Sequence, residues 1–199
     1  MYLTCLDLEG VLVPEIWVEF AEAAGIPELK KTTRDEPDYD KLMNYRLNIL
    51  REHGLGLSQI RQTIAGIDVM PGAKEFLDEL RSLTQVIILS DTFEQFAMPL
   101  MEKLGMPTIF CNTLEVAPDG EITGYRMRCE KSKYTTVRAL QSIGFDTIAS
   151  GDSFNDLGMI QASKAGFLFR STEAIKAAHP ELPAFDEYSD LLEAIKAVL

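Results

Sequence analysis

Histidine and cysteine are scarce: the chain has two of one and three of the other. His53 precedes Gly54 and His179 precedes Pro180, places that suit helix ends and surface turns better than catalysis. Cys5, Cys111 and Cys129 are odd in number and lack metal-ligand spacing, so they read as reduced core residues. None is followed by the nearby arginine that a cysteine nucleophile needs to hold a phosphate. Positive charge is also short. With 19 Lys and Arg against 31 Asp and Glu, the formal net charge is −12. That opposes nucleic acid and anionic membrane as partners, because both are bound through cations. No apolar run approaches the roughly 20 residues of a membrane span. There is no repeat, low-complexity run, linker or cleavable N-terminal segment, so a cytoplasmic location is expected. What is present is an ordinary globular mixture, 46% hydrophobic and 25% charged over 199 residues, enough for one core with a small inserted subdomain.

The most informative stretch is the first thirteen residues, where the apolar run 2–6 breaks into Asp7-Leu8-Glu9-Gly10. A run this short and apolar suits a strand covered on both faces, as in a parallel sheet. If the chain stays extended, Asp7 and Glu9 project to one side and Leu8 to the other, and Gly10 permits a sharp turn. Two more apolar runs stop in the same way. Val86-Ile87-Ile88-Leu89 ends at Ser90-Asp91-Thr92, and Thr147-Ile148-Ala149 ends at Ser150-Gly151-Asp152-Ser153-Phe154-Asn155-Asp156. Ligands of open parallel sheets sit outside the carboxyl ends of the strands, so three such ends can build one site. Asp7, Glu9 and Asp152 then offer oxygen ligands, and Ser90 with a lysine faces an anion, a set that fits Mg²⁺ and a phosphate.

In this order the motifs resemble the haloacid dehalogenase-like phosphatases, specifically the phosphoserine phosphatase group, over essentially the whole chain. Asp7-x-Glu9-Gly-Val is similar to the first motif, Ser90 to the second, a lysine at 131–133 to the third, and Gly151-Asp152-x-x-Asn155-Asp156 to the fourth. Two positions depart from the pattern: Glu9 stands where a second Asp is usual, and Asp91 where Gly is usual. Asp-Leu-Glu-Gly resembles the variant subgroup that also carries homoserine phosphotransferase activity. The resemblance implies an α/β fold, a Rossmann-like doubly wound parallel sheet core (1–13 and 71–199) with an inserted helical cap (14–70). It further implies Mg²⁺, a small phosphorylated amino acid as substrate and homoserine as an acceptor. Runner-up readings are a phosphatase of another small metabolite and a catalytically silent binding module.

Asp7 is the expected nucleophile, forming an aspartyl-phosphate, and Glu9 the expected proton donor and base. Asp152 completes the metal shell with Asp7, and the resemblance adds the backbone carbonyl of Glu9. Asp156 is given a supporting place at a helix start, and Asn155 suits substrate positioning and an N-cap equally. Ser90, with the N–H groups of 91 and 92, is expected to bind phosphate at a helix start, with Asp91 pointing away to cap that helix. Lys131 and Lys133 compete for the phosphate. Lys133 is favoured because it opens a helix carrying Val137, Leu140 and Ile143. By resemblance, Glu15 and Arg46 in the cap read the ammonium and carboxylate of the amino acid.

Elsewhere, apolar stripes predict helices over 16–24 (Ile16, Trp17, Phe20, Ala23, Ala24), over 42–50 and over 58–64. Helices are also expected at 74–83, 93–104, 133–143, 157–162 and 191–198. Strands are expected at 85–89, 108–111 and 147–150, with 166–169 the last clear one. Asp119-Gly120 marks a hairpin between 113–116 and 122–127, read as a flap beside the core.

Overall fold

β1 (Tyr2–Leu6) is the centre of a seven-stranded sheet in the order β4-β3-β2-β1-β5-β6-β7. The computed structural model describes residues 1–32, 35–36 and 38–199. β1 runs parallel to β2 (Gln85–Phe93) on one side and to β5 (Asp146–Gly151) on the other. β3 (Ile109–Val116) follows β2, β6 (Ala165–Phe169) and β7 (Ala184–Phe185) follow β5, and only β4 (Ile122–Arg126) is antiparallel. The chain winds outward from β1 to β3, then crosses back to begin the other half at β5. The topological switch therefore falls at β1, where such sheets open a crevice at their carboxyl edge.

Side chains alternate across the sheet and feed two cores. Leu3, Cys5, Ile87, Leu89, Ala149 and Leu168 meet Val137 of α6 (Ser132–Ser142), Met159 and Ile160 of α7 (Leu157–Ala162) and Ile175 of α8 (Glu173–Ala178). On the opposite face Leu6, Ile88, Ile148, Phe167 and Phe169 pack against α4 (Ala73–Leu83), α5 (Glu94–Lys103) and α9 (Tyr188–Lys196), through residues such as Leu80, Leu100 and Ile195. Among the described residues, no helix is long and apolar enough to cross a membrane.

Between β1 and α4 the described residues hold three α-helices, α1 (Ile16–Ala24), α2 (Tyr39–Glu52) and α3 (Leu57–Ala65), with a 3-10 turn at Pro27–Lys30. The chain leaves and re-enters the sheet layer at neighbouring points, since the Met70 N–H donates to the Leu12 carbonyl at 2.9 Å. α1 buries Ile16, Trp17, Phe20 and Ala21, so the stripe runs through Ala21 and leaves the expected Ala23 exposed. The helical block also leans on the β3–β4 hairpin. The Leu57 N–H donates to the Gly120 carbonyl at 2.8 Å, Arg51 pairs with Glu121 at 2.8 Å, and the Tyr39 and Tyr125 rings meet edge-on at 5.8 Å.

Several expected boundaries moved. β2 does not stop at Leu89: extended backbone continues through Ser90, Asp91 and Thr92 to Phe93, pairing with β3 across an irregular register. The expected breaks at 111–113 are absent too, because β3 is one strand that pairs parallel with β2 first and antiparallel with β4 later. Asn112, almost fully buried, bridges that change by donating to the Asp91 carbonyl and accepting from the Arg128 N–H. The hairpin is therefore a continuation of the sheet edge. α8 and β7 are additional, and Phe169 does not end the last strand. Only Cys5 is a core cysteine; Cys111 and Cys129 are half-buried.

Candidate active site

The carboxyl ends of β1, β2 and β5 converge at the switch. Asp7 follows β1 directly, its N–H held by the Ser150 carbonyl at 3.0 Å and its Oδ1 accepting from the Leu8 N–H at 2.7 Å. Lys133, at the start of α6, reaches under the sheet edge and lies 2.8 Å from Asp7 and 2.6 Å from Asp156. Asp7, Lys133 and Asp156 are all buried, Asp156 completely. Asp156 turns back over its own loop and accepts the N–H groups of Asp152 and Ser153 at 3.1 and 3.0 Å. It shares a capping box with Ser153 at the turn that leads into α7. Asp7, Asp152 and Asp156 place one carboxylate oxygen each within 4.8 Å of one another.

Two glycines make this closeness sterically available. Gly10, at φ +78°, turns the chain so tightly that a Cβ there would lie 2.6 Å from the Asp152 carboxylate. A Cβ on Gly151 would lie 2.3 Å from Cγ of Asp156. Both spacings are far inside van der Waals contact, so only glycine lets the β1 and β5 loops press these acids together.

Electrostatics follow from the crowding. Burial and then the Asp156 charge hold Asp7 well above the usual carboxylate range, with Lys133 pulling the other way. Burial, Asp156 and Glu15 push Asp152 up to about 6. For Lys133 burial works against the charged form, yet Asp156, Asp7 and Asp91 outweigh it and raise the ammonium above the ordinary lysine value. Three carboxylates share a single ammonium. The surplus of hard oxygen donors in a buried pocket fits a divalent cation such as Mg²⁺, which would offset both the burial and the Asp156 repulsion that raise Asp7 and Asp152.

Glu9 stands apart from that cluster. Its Oε1 accepts from the Ile16 N–H at 2.8 Å, at the start of α1. Burial and the neighbouring Glu15 push its carboxyl up to about 7, against the pull of the Ile16 N–H, Lys133 and Arg46. Glu15 is exposed but acts electrically on both Glu9 and Asp152, so its charge is directed at the site. Arg46 on α2 is buried with its guanidinium 4.5 Å over the Trp17 ring. Its Nη2 donates to the Lys31 carbonyl at 2.7 Å and its Nη1 to Met43 Sδ at 3.9 Å, and among the described residues its buried Nε has no partner. Glu9, Glu15 and Tyr39 lie near enough to support the Arg46 charge against burial.

The second strand end differs from expectation. Ser90 is buried and its Oγ accepts from the Thr92 N–H at 3.2 Å, but both residues sit in extended strand, and α5 begins only at Glu94. No helix start faces the site at that point. Asp91 does not cap α5 either, whose N-cap is Phe93 with no side-chain bond. Because β2 stays extended, Asp91 turns across to accept from Ser132 Oγ at 2.6 Å and Asn155 Nδ2 at 3.1 Å. Asn155 is thus drawn to Asp91 and to Ser153 Oγ, and it caps nothing. Lys131 sits at the exposed N-cap of α6 and makes no contact with the acids. Ser132, Asn112 and Tyr39 were not singled out from the sequence, and Trp17 only as part of the apolar stripe of the first helix. Ser132 lies between Lys131 and Lys133, which were, but it carries no spacing signal of its own.

A model of the haloacid dehalogenase-like hydrolase family matches residues 4–164. A protein named phosphoserine phosphatase ThrH from Pseudomonas aeruginosa is 50% identical over 191 residues, covering 96% of this chain and 93% of its own. A phosphoserine phosphatase from Pseudomonas syringae pv. tomato is 46% identical, covering 98% and 83%. In fold, the chain is similar to a substrate-bound phosphoserine phosphatase complex, with TM-score 0.77, 24% identity and coverage of 98% and 97%. The three strand ends, the buried lysine among acids and these similarities agree: the chain belongs to the haloacid dehalogenase-like hydrolases.

Proposed function

We propose that the protein is a Mg²⁺-dependent phosphomonoesterase that acts on phosphoserine through a phosphorylated Asp7 and passes the phosphoryl group to water or to homoserine. The observation that carries this reading is the Asp7–Lys133–Asp156 arrangement: a buried carboxylate held 2.8 Å from a buried ammonium at the switch point of the sheet. Similarity to relatives named phosphoserine phosphatase supports the substrate, and the ThrH relative supports the acceptor.

In the first step an Asp7 oxygen attacks phosphorus, the bond from phosphorus to the serine oxygen breaks, and the leaving alkoxide takes the proton of Glu9. In the second, water gives a proton to Glu9 and attacks the same phosphorus. The Asp7–phosphorus bond breaks and phosphate leaves. A carboxyl raised to about 7 is available in both protonation states near neutrality, as this exchange requires. Asp7 and Asp152, with Asp156 beside them and the Glu9 carbonyl that the family resemblance adds, would hold Mg²⁺. The cation supplies positive charge that screens the phosphate oxygens from the carboxylates.

Lys133 and Ser90 face the phosphate, and Lys133 also aligns Asp7 and favours its ionised form against burial and the Asp156 charge. Asn155, fixed by Asp91, positions the substrate. Residues 14–70 serve as a cap over the site, in which Arg46 offers its unpartnered Nε to the substrate carboxylate and Glu15 receives the ammonium. Homoserine presents the same ammonium and carboxylate, so Glu15 and Arg46 can hold it with its hydroxyl in the place of water, where proximity favours transfer over hydrolysis. The test follows phosphohomoserine and free phosphate in a reaction of phosphoserine, Mg²⁺ and millimolar homoserine. Both products are expected. Phosphate alone would remove the transferase half, and no turnover of phosphoserine would remove the reading.

A further inference from the structure

The turn that follows β1 is closed on itself. The Leu8 carbonyl accepts from the N–H groups of Leu12 and Val13 at 2.8 and 3.0 Å, and the Gly10 N–H donates to the Val13 carbonyl at 2.8 Å. The Leu12 carbonyl takes the Met70 N–H at 2.9 Å. The Val11 carbonyl takes a side chain from the far end of the chain: the hydroxyl of Tyr188, the first residue of α9, donates to it at 2.6 Å. Val11 is wholly buried, and a buried carbonyl without a donor is costly, so this bond decides where that carbonyl rests.

Tyr188 is itself held too firmly to follow the turn. Its ring stacks on Phe76 of α4 at 4.9 Å and 25°, lies 4.9 Å from the Phe169 ring at the end of β6, and carries the Arg170 guanidinium 4.6 Å over its face. Arg170 in turn donates from Nε to the Asp186 carbonyl at 3.0 Å and from Nη1 to Met70 Sδ at 3.4 Å. Gly72, at the start of α4 with φ +83°, passes so near that a Cβ there would lie 3.3 Å from Cδ2 of Tyr188. Val11, where the chain leaves the sheet for the helical block, and Gly72, where it returns, therefore both rest on this one residue.

We propose that Tyr188 is a positioning residue that acts through the Val11 carbonyl: its hydroxyl fixes the 8–13 turn, and the turn fixes Gly10 against Asp152 and Glu9 beside the Ile16 N–H. Gly10 is the neighbour of Val11, and the fit there is tight, since a Cβ on Gly10 would lie 2.6 Å from the Asp152 carboxylate. Glu9 is one residue further back, with its Oε1 2.8 Å from the Ile16 nitrogen. Asp7 is held separately, by the Ser150 carbonyl on its N–H. A small displacement of the turn thus moves Glu9 relative to Asp7 and Asp152. The catalytic consequence rests on the proposed function; the hold on the turn does not.

The experiment uses Tyr188→Phe in the full chain, which removes the hydroxyl and keeps the ring stack, and follows amide hydrogen exchange by NMR. Exchange at Gly10, Leu12 and Val13 should rise by roughly tenfold, while Cys5 in β1 and Ala149 in β5 keep their rates. On the same samples kcat for phosphoserine should fall by roughly 10- to 100-fold with KM moving by less than about twofold, the signature of a misplaced reacting group and not of lost binding. Ile195→Val is the control for a fold that is merely loosened. It trims a buried side chain on the same helix and should lower the melting temperature with kcat and the exchange of the turn unchanged. Unchanged exchange in the turn, an unchanged kcat in Tyr188→Phe, or an equal loss of kcat in Ile195→Val would each overturn the proposal. The two ideas fail separately. A native chain that does not turn over phosphoserine would sink the proposed function, and faster exchange confined to the turn would still uphold the hold by Tyr188; native turnover that Tyr188→Phe leaves untouched would do the reverse.

Discussion

Two groups of charges, one around Lys133 and one around Arg46, are built on different terms. Around Lys133 every buried charge has an opposite one at contact: Asp7 at 2.8 Å, Asp156 at 2.6 Å, and the Asp156 carboxylate also takes two N–H groups. Around Arg46 the accounts are open. The guanidinium is buried on Trp17 with one carbonyl partner and a bare Nε, while Glu9 and Glu15 lie nearby without an ion pair to it among the described residues. A buried N–H without a partner costs about 1–3 kcal/mol, so it persists where something else repays it. The difference bears on the proposed site: the first group is complete within the chain, and the second leaves a buried donor that, on the proposed reading, a substrate carboxylate would take.

The largest effect should come from breaking the complete group at its reactive member. Asp7→Asn keeps shape and hydrogen-bonding size but removes the nucleophile, so phosphoserine turnover should fall to background while the far-ultraviolet dichroism is unchanged. Turnover within a few fold of the native rate would exclude Asp7 as the nucleophile. Lys133→Met tests the same group as structure. It leaves Asp7 and Asp156 facing each other without the ammonium, and loss of one member of a buried pair typically costs about 3–5 kcal/mol. Thermal unfolding should show a clear drop in Tm, part of which millimolar Mg²⁺ returns by binding the folded state alone. A Tm insensitive to Mg²⁺ would count against a cation among Asp7, Asp152 and Asp156.

Glu9 lies between the two groups, and Glu9→Gln isolates proton transfer. A positioned acid–base group is worth roughly 10²–10⁴ in rate, so kcat should fall by that amount with little change in KM. A loss confined to KM would make Glu9 a helix-start partner of the Ile16 N–H and nothing more.

Much of the complete group was legible before folding, because buried parallel strands announce themselves as short apolar runs and their ends announce the site. β1, the acid at position 7 and the choice of Lys133 over Lys131 all come from such local patterns; the helix repeat through Val137 and Leu140 already orients position 133. What could not be read depends on partners far along the chain. β2 runs on through Ser90-Asp91-Thr92 because β3 is there to pair with it, while the acid at position 91 disfavours a strand locally. Once β2 stays extended, Asp91 is carried across to Ser132 and Asn155, so one missed boundary also misplaced a side chain. Asp156 reads as a helix-start acid, and only the absence of a Cβ at Gly151 shows that it folds back into the cluster. β7 is two residues long, too short for a periodic signal, and α8 buries only Ile175, so no apolar stripe marks it.

Arg46→Ala breaks the open group. If Arg46 reads a substrate carboxylate, kcat/KM for phosphoserine should fall by about 10- to 100-fold, the value of a hydrogen bond to a charged group. An aryl phosphate, which has no carboxylate to offer, should lose far less. Equal losses on the two substrates would place Arg46 in the packing of Trp17 instead.

The smallest effect should come from the surface. Arg51 shares α2 with Arg46 and pairs with Glu121 at 2.8 Å, on the hairpin tip where both side chains are about half exposed. An exposed pair contributes roughly 0.2–1 kcal/mol, against the several expected for Lys133, so a double-mutant cycle of Arg51→Ala and Glu121→Ala should give a coupling in that range. The KM for phosphoserine should move by less than about twofold in either single variant, a shift worth under 0.5 kcal/mol. The reason is redundancy. Helix α2 and the turn after it remain attached to the hairpin by the Leu57 N–H to Gly120 carbonyl bond and by the Tyr39–Tyr125 ring contact, and neither involves Arg51. A large KM change in Glu121→Ala would show that the hairpin tip governs where Arg46 sits. The open group would then be set by the hairpin and not, as its burial on Trp17 indicates, by its own packing.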